Sequence, residues 1–472
     1  MNCNDAAPAK RIVIIGSGIA GLSAAVSAAE SAASGTEIHI IERATPEEAG
    51  GLTRWTAAYL RLDEADVAAE GFVDDIVSFS NGRSPKWYAQ RVVERIPETM
   101  AWVQGHGAKF DRLPTYFINS SRKRLQPVGG GASLLEVLLP VAEKLGVVFH
   151  FETTAIGLQR HDNGAITGVV LEHASALRTL EADSVIIAAG GFEGDPEYLD
   201  ENLGVRDRPL VPIAPGARFN RGEGIRMAID AGAGKAGAWD DFHAEPVDPR
   251  ADHAEAIVMG FNYGILVDRA GHRFIDEGRS TIDETYEETA RAIWNLPGSI
   301  AYFITDQHYT EEVARGPEGI LSEVEPITAQ SIQELAEQLG LPVRDLEMTI
   351  AGYNAASIDA PFSWEAPDGK ATEGIEPKKS NWAFPLDRGP FIAYPVVCAI
   401  VFTYGGLATD EHGRVVDGSG EVIRGLYAAG ECTGLYHGKY PGGTSVLRGM
   451  IFGRLAGIHA ALQPSDVLTA GR

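Results

Sequence analysis

The residues best suited to chemistry by type and spacing stand near the start of the chain. In RIVIIGSGIAGLSAAVSAAE, Gly16, Gly18 and Gly21 follow the pattern G-x-G-x-x-G, and Glu42 closes the next apolar run, TEIHIIER. Such a set binds the pyrophosphate of a dinucleotide. One glycine allows the tight turn, one lets the backbone approach the phosphates, and one seats the helix against the strand. The helix amides and the positive end of its dipole meet the phosphate charge. An acid at that distance can accept hydrogen bonds from a ribose diol. The pattern alone leaves NAD and FAD both open.

Those residues work only if strand, turn, helix and strand are in place. The β-branched run Ile12–Ile15 predicts a buried parallel strand, and a helix follows the glycines. A second glycine turn, Gly50–Gly51 followed by Thr53, reads as another close backbone approach to a ligand. The strand in ADSVIIAAGGFEGD runs into Ala189, Gly190 and Gly191, and RGEGIRMAIDAGA opens one more helix behind glycines. AIGLQR and ITGVVLE predict antiparallel strands around the turn Asn163–Gly164. Within residues 64–112, Trp87, Tyr88, Val92, Val93 and Ile96 recur at helical spacing.

From about Trp239 the texture becomes acidic and proline-containing. GILVDRAGHRFIDEG predicts a hairpin there, residues 326–357 predict helices, and the last segment returns to strand–glycine–helix character. The expected fold class is α/β: a Rossmann-like FAD-binding domain assembled from both chain ends, residues 1–237 and 391–472, around an inserted α+β capping domain at 238–390. A dinucleotide domain divided in this way favours FAD over NAD.

Composition narrows the partners. The 472 residues exceed one ordinary core, and a net charge of −25 excludes nucleic acid or an anionic membrane surface as the natural partner. An anionic substrate then needs a locally basic pocket. Cys3, Cys398 and Cys432 offer no zinc, haem or iron–sulfur spacing, so no metal is expected and a reducing cytoplasm is the default. The opening MNCNDAAPAK has no apolar signal core, and YPVVCAIVF is too short to span a bilayer.

Several motifs, in order, resemble the FAD-dependent fumarate reductase/succinate dehydrogenase flavoprotein family. They are VIIGSGIAGLSAA…IIE, GGLTRW, PVGGG, VIIAAGGFEGD, GEGIRMAIDAGA, LVDRAGHRFIDEG and GLYAAGECTG…YPGGTSVLRGMIFGRLAG. The likeness covers nearly the whole chain and is nearest to soluble desaturases of the tricarballylate-dehydrogenase and 3-ketosteroid-dehydrogenase types. It implies FAD, with Gly16, Ser17, Gly18, Ala20, Gly21, Glu42 and Arg43 around the adenosine and pyrophosphate. Gly50, Gly51 and Thr53 would approach the pyrophosphate and flavin, and Ala189, Gly190 and Gly191 the adenosine half. Glu431 would bind ribityl or ribose hydroxyls, and Ser445 and Val446 would face the flavin pyrimidine. LTRWTAA holds no histidine where succinate dehydrogenase relatives tether their cofactor, so noncovalent FAD is expected.

The same resemblance implies a substrate held between the domains and a reaction that moves two hydrogens across a carbon–carbon bond beside a carbonyl. His243 and His437 fall at the family's two histidine positions. Arg279 lies about two residues before the place where reductases carry an arginine acid, and HGKYPGG is shorter than their HGANRLGG and lacks its arginine. YPGG is instead similar to ketosteroid dehydrogenases, which casts Tyr440 as the electrophile, aided by an N–H of Gly443 or Thr444. Tyr286, helped by Arg279, is the candidate proton acceptor, and Arg448 the candidate for a substrate carboxylate. Tyr116, Tyr263 and Trp55 are candidates for the pocket wall. The expected activity is an FAD-dependent desaturase acting α,β to the carbonyl of a small ketone or carboxylic acid, passing electrons to oxygen, a quinone or a redox protein. The alternative is a fumarate- or enoate-type reductase with a partner electron donor.

Overall fold

The computed structural model describes residues 10–112, 124–208, 210–313, 319–364 and 366–464. The N-terminal run forms β1 (Arg11–Ile15), followed by α1 (Ile19–Ser31) and β2 (Glu37–Ile41). The helices α2 (Lys86–Gly105) and α3 (Gly130–Lys144) precede β3 (Val148–His150). In α2 the predicted stripe Tyr88, Val92 and Ile96 is buried, while Trp87 turns outward. The expected antiparallel pair is β4 (Thr154–Arg160) and β5 (Ile166–His173), with Asn163–Gly164 between them. A third strand, β6 (Ala176–Glu181), extends it. Its residues are mostly exposed, so no apolar alternation announced it.

β7 (Ser184–Ile187) and α4 (Glu223–Asp230) complete this half. Residues 238–390 contribute β8 (Phe242–Val247), β9 (Ile265–Val267), α5 (Ile282–Trp294) and β10 (Ile300–Thr305). Next come the long β11 (Phe391–Thr403), then β12 (Arg414–Val416), β13 (Val422–Ala428) and α6 (Ser445–Leu462).

Two sheets carry the architecture. The first has the order β12-β13-β7-β1-β2-β3, parallel throughout except for the edge strand β12. The central strands β1 and β7 are buried on both faces, which explains their unbroken apolar runs. Both chain ends meet in it, since Val185 of β7 pairs with Leu426 of β13. The second sheet is built on β11, which pairs antiparallel with β8 and β10. β11, expected in the C-terminal FAD-binding segment, pairs with β8 and β10 from residues 238–390 and also with Val211–Pro212 from residues 1–237. The predicted hairpin in GILVDRAGHRFIDEG does not form as such. β9 pairs with β10, and only the bridge Val267–Arg273 runs back along it. Arg273 is drawn instead into a buried ion pair with Glu277 at 2.6 Å. Among the described residues no helix is long and apolar enough to cross a membrane.

Candidate active site and cofactor cradle

The carboxyl ends of β1 and β7 lie side by side where strand order in the first sheet changes direction, the crevice in which open α/β sheets bind ligands. A cavity of about 260 Å³ opens there and reaches β8 and β11 of the second sheet. Gly16, at φ +102°, has no room for a side chain, since a Cβ would fall 2.4 Å from the Ala188 carbonyl oxygen. A Cβ on Gly21 would fall 2.0 Å from the Gly16 oxygen, so this glycine seats helix on turn. Gly18 differs: nothing lies nearer than 3.5 Å to where its Cβ would sit, and it faces the cavity. Two of the three glycines thus have no space for a side chain, and the third faces open cavity.

The remaining cradle suits FAD. Ser17 donates its N–H, at 3.0 Å, and its hydroxyl to Glu42, which lines the cavity beside Arg43, itself paired with Glu223 at 2.6 Å. Thr53 Oγ1 accepts the Ile19 N–H at 3.1 Å, so the Gly50–Gly51–Thr53 turn is fastened to the start of α1. Ala20, Gly50, Gly51, Ala189, Gly190, Glu431, Ser445 and Val446 also line the cavity. α6 begins there, so the positive end of its dipole faces the cavity. Gly191 stands behind this wall; a Cβ on it would fall 2.1 Å from Glu431 Oε1 and 2.7 Å from Glu193 Oε2. Two buried carboxyl groups therefore face each other, and Glu193 Oε2 finds no donor around it. Burial and the neighbouring Glu431 push Glu193 well above the usual carboxylate range.

At the far end the structure assembles Tyr440, His243 and Tyr286. Their ring centroids lie 4.5 Å apart for His243 and Tyr440 and 5.7 Å for His243 and Tyr286, with Phe402 5.1 Å from Tyr440. The Tyr440 hydroxyl accepts the N–H groups of Thr444 and Ser445, both at 2.9 Å, and lies 3.0 Å from Ser445 Oγ. Gly443 lines the cavity, whereas the Thr444 N–H is spent on Tyr440. His243 sits between two acids, with Nε2 3.6 Å from Glu245 and Nδ1 3.5 Å from Glu287. Burial alone would lower its pKa, yet the two carboxylates raise it above the ordinary value. Burial works against ionisation of Glu287 too, but His243, Arg291 and the Tyr404 hydroxyl hold it down at about 2. Glu287 also accepts the Tyr440 N–H at 3.1 Å. Burial, then Glu245 and Glu287, push the Tyr286 hydroxyl well above its ordinary value, and it lies 3.5 Å from His243 Nε2.

Other candidates fall elsewhere. Arg279 is more than half exposed and pairs with Glu288 on the surface. His437 lies off the cavity near Arg83, Asp240 and Asp241, and burial lowers its pKa. Arg448 touches the cavity, but its guanidinium donates to the Thr433 carbonyl at 3.0 Å and lies over the Tyr436 ring at 4.7 Å. Tyr263 is buried against Tyr309 and Trp382, Trp55 lines the cavity while partly exposed, and Tyr116 lies outside the described residues. The Cys432 thiol is buried and pushed up to about 12.

Sequence reasoning missed Glu245, Glu255, Glu287 and Arg124. Glu245 stands two positions from His243 on one strand, a same-face spacing that could have found it. Glu287 simply follows Tyr286. Glu255 takes a left-handed backbone, φ +55°, in the cavity wall, where burial and Glu245 push it up to about 8. No local signal marks it.

Residues 11–447 match the FAD binding domain family, and the chain belongs to it. It is 28 % identical to the fumarate reductase (cytochrome) of Shewanella frigidimarina over 95 % of this chain and 76 % of that protein. It is 32 % identical to the 4-oxocyclohexanecarboxylate 2-dehydrogenase of Sinomonas cyclohexanicum over 77 % of this chain and 66 % of that protein. The structure is similar to 3-ketosteroid-Δ4-(5α)-dehydrogenase from Rhodococcus jostii RHA1, with TM-score 0.71 and 25 % identity over 98 % and 99 % of the two chains. The protein is an FAD-dependent oxidoreductase acting on CH–CH groups, a relative of fumarate reductases and ketone desaturases.

Proposed function

We propose that the protein desaturates a small cyclic ketone or keto acid α,β to its carbonyl and passes the electrons to an external acceptor. The hydroxyl of Tyr440 carries the argument. It accepts two backbone N–H groups from the start of α6, which occupies its lone pairs. Its own proton is what it has left to give, and Ser445 Oγ takes it. A substrate carbonyl replacing Ser445 would receive that proton while the helix amides stabilise the tyrosine oxygen from behind. The α C–H is thereby acidified.

Tyr286, across the His243 ring from Tyr440, is the proton acceptor. Its own proton must leave as the α proton arrives, so His243 Nε2 yields a proton to Glu245 and takes the one from Tyr286. Glu287 holds His243 from the other nitrogen and Tyr440 from its N–H, fixing both groups relative to each other. Bound FAD supplies a two-electron hydride acceptor for the β hydrogen. Phe402 walls the site and limits water near the transferring atoms.

The likeness to the 4-oxocyclohexanecarboxylate dehydrogenase supports a cyclic keto acid as the substrate class. Anaerobic bleaching of the flavin by 4-oxocyclohexanecarboxylate and by simple cyclic ketones tests it, and no bleaching by any of them would sink the reading. Tyr440→Phe should lower kcat by about 10² to 10³ with little change in flavin content.

One observation favours the reverse reaction. Burial and two carboxylates keep Tyr286 protonated, which readies it as a donor to an enoate carbon. Oxidation of chemically reduced enzyme by α,β-unsaturated acids faster than by unsaturated ketones would favour this reductase reading.

A further inference from the structure

We propose that Arg124 is the carboxylate-binding residue of the active site and selects acids over neutral ketones; this rests on the reading of Tyr440 as the carbonyl ligand. The reacting end of the cavity is acidic by composition, with Glu245 and Glu255 in its wall. A carboxylate substrate entering there needs a cation to offset that field. Three cationic side chains line this part of the cavity. Lys439 donates to the Glu284 carbonyl at 2.7 Å and stands over the Phe79 ring. Arg448, 2 % exposed, is turned to Thr433 and Tyr436. Arg124 packs on the Gly442–Gly443 pair that follows Tyr440 and Pro441.

Its Nη1 donates to the Gly442 carbonyl at 3.1 Å. Gly442 and Gly443 have φ of +54° and +70°, and a Cβ on either would sit 3.0 to 3.1 Å from the guanidinium nitrogens. The glycine pair after Tyr440–Pro441 thus makes room for the arginine head and sets it two residues from the carbonyl ligand. Its charge also faces Tyr286 and Tyr59, lowering both hydroxyls against the burial that raises them. A planar guanidinium meets a carboxylate with two parallel N–H groups, which fixes orientation as well as affinity. Glu255, pushed up to about 8, is largely neutral at pH 7 and adds little repulsion toward an arriving acid. A keto acid is then held at both ends, the ketone at Tyr440 and the carboxylate at Arg124.

The test compares a cyclic keto acid with the neutral ketone of the same ring in FAD-loaded wild type, Arg124→Met and Arg124→Lys. Arg124→Met should raise KM for the acid about 30- to 100-fold and leave KM for the ketone within about twofold, so the ratio of the two KM values is the readout. Arg124→Lys should recover part of the loss, because it restores charge without the fork. Acid and ketone suffering alike, or neither changing, would overturn the assignment. If Arg124→Met does not fold, wild type decides with the keto acid and its methyl ester: a much higher KM for the ester supports the anchor, and equal values overturn it. A non-reacting acid, read by its perturbation of the flavin spectrum, keeps this result separate from the desaturase reading. Its binding to wild type and loss in Arg124→Met support the anchor even where no ketone is turned over.

Discussion

At the scale of single residues, the chemistry rests on where protons are kept in a buried, acid-rich network. His243 has its pKa raised by Glu245 and Glu287 despite burial. A raised base stabilises the fold fully below its unfolded value and loses that contribution as pH climbs through the folded value. Wild type should therefore exceed His243→Gln in Tm most at mildly acidic pH, and the gap should shrink at alkaline pH. A gap that stays constant in thermal scans would contradict this. Glu287 has the opposite sign. Held at about 2, it stabilises above the usual carboxylate range and loses that as pH falls toward 2. The Glu193–Glu431 pair gives a second prediction. Two acceptors facing each other in a buried place need one proton. Wild type should release FAD about tenfold faster at strongly alkaline than at neutral pH, while Glu193→Gln, which keeps a donor, should release it at a pH-independent rate. Released flavin fluorescence reads both. Tyr440, Tyr286 and His243 were legible by motif, but their partners were not. Glu255 and Arg124 come from loops, and no local spacing links a loop residue to a distant glycine turn.

At the scale of elements, both helices that begin at the cofactor cradle are locked to each other by small residues. A Cβ on Gly453 would fall 2.3 Å from the Ala20 carbonyl oxygen, and one on Gly457 2.2 Å from that of Ala24. α1 and α6 therefore touch backbone to backbone, which fixes the amides at both N-termini. Gly453→Leu should force them apart, cost about 3 kcal/mol in thermal unfolding and lower FAD content as well. Gly418, with nothing within 4 Å of its Cβ position, should accept alanine without either effect. Unchanged flavin content in Gly453→Leu would mean that the helix contact does not set the cradle. The first sheet was readable because buried parallel strands are unbroken apolar runs. β11 could not be assigned to one sheet from sequence, because its thirteen residues read the same in either. Its far end explains the ambiguity: Thr403 donates its N–H to Glu431 at 3.1 Å, so one strand serves the capping sheet and the cofactor cradle.

For the molecule as a whole, charge governs which electron partners arrive. The net charge of −25 lies on a chain whose reacting cavity is itself lined by acids, so the long-range field repels anions and gathers cations. The substrate escapes this only through a local cation at short range, where screening matters less. An external acceptor has no such help, because it exchanges electrons from outside the site. Reoxidation of the reduced enzyme by a cationic dye should therefore be fast at low ionic strength and slow as salt is added. Reoxidation by an anionic acceptor such as ferricyanide should be slow at first and speed up with salt, since the Debye length falls from about 30 Å at 0.01 M to about 10 Å at 0.1 M. Stopped-flow traces of flavin absorbance, taken with both acceptors across that range, give the two slopes directly. Slopes of the same sign would show that the path to the flavin is shielded from the surface field. Opposite slopes would make a basic redox protein the natural class of electron partner.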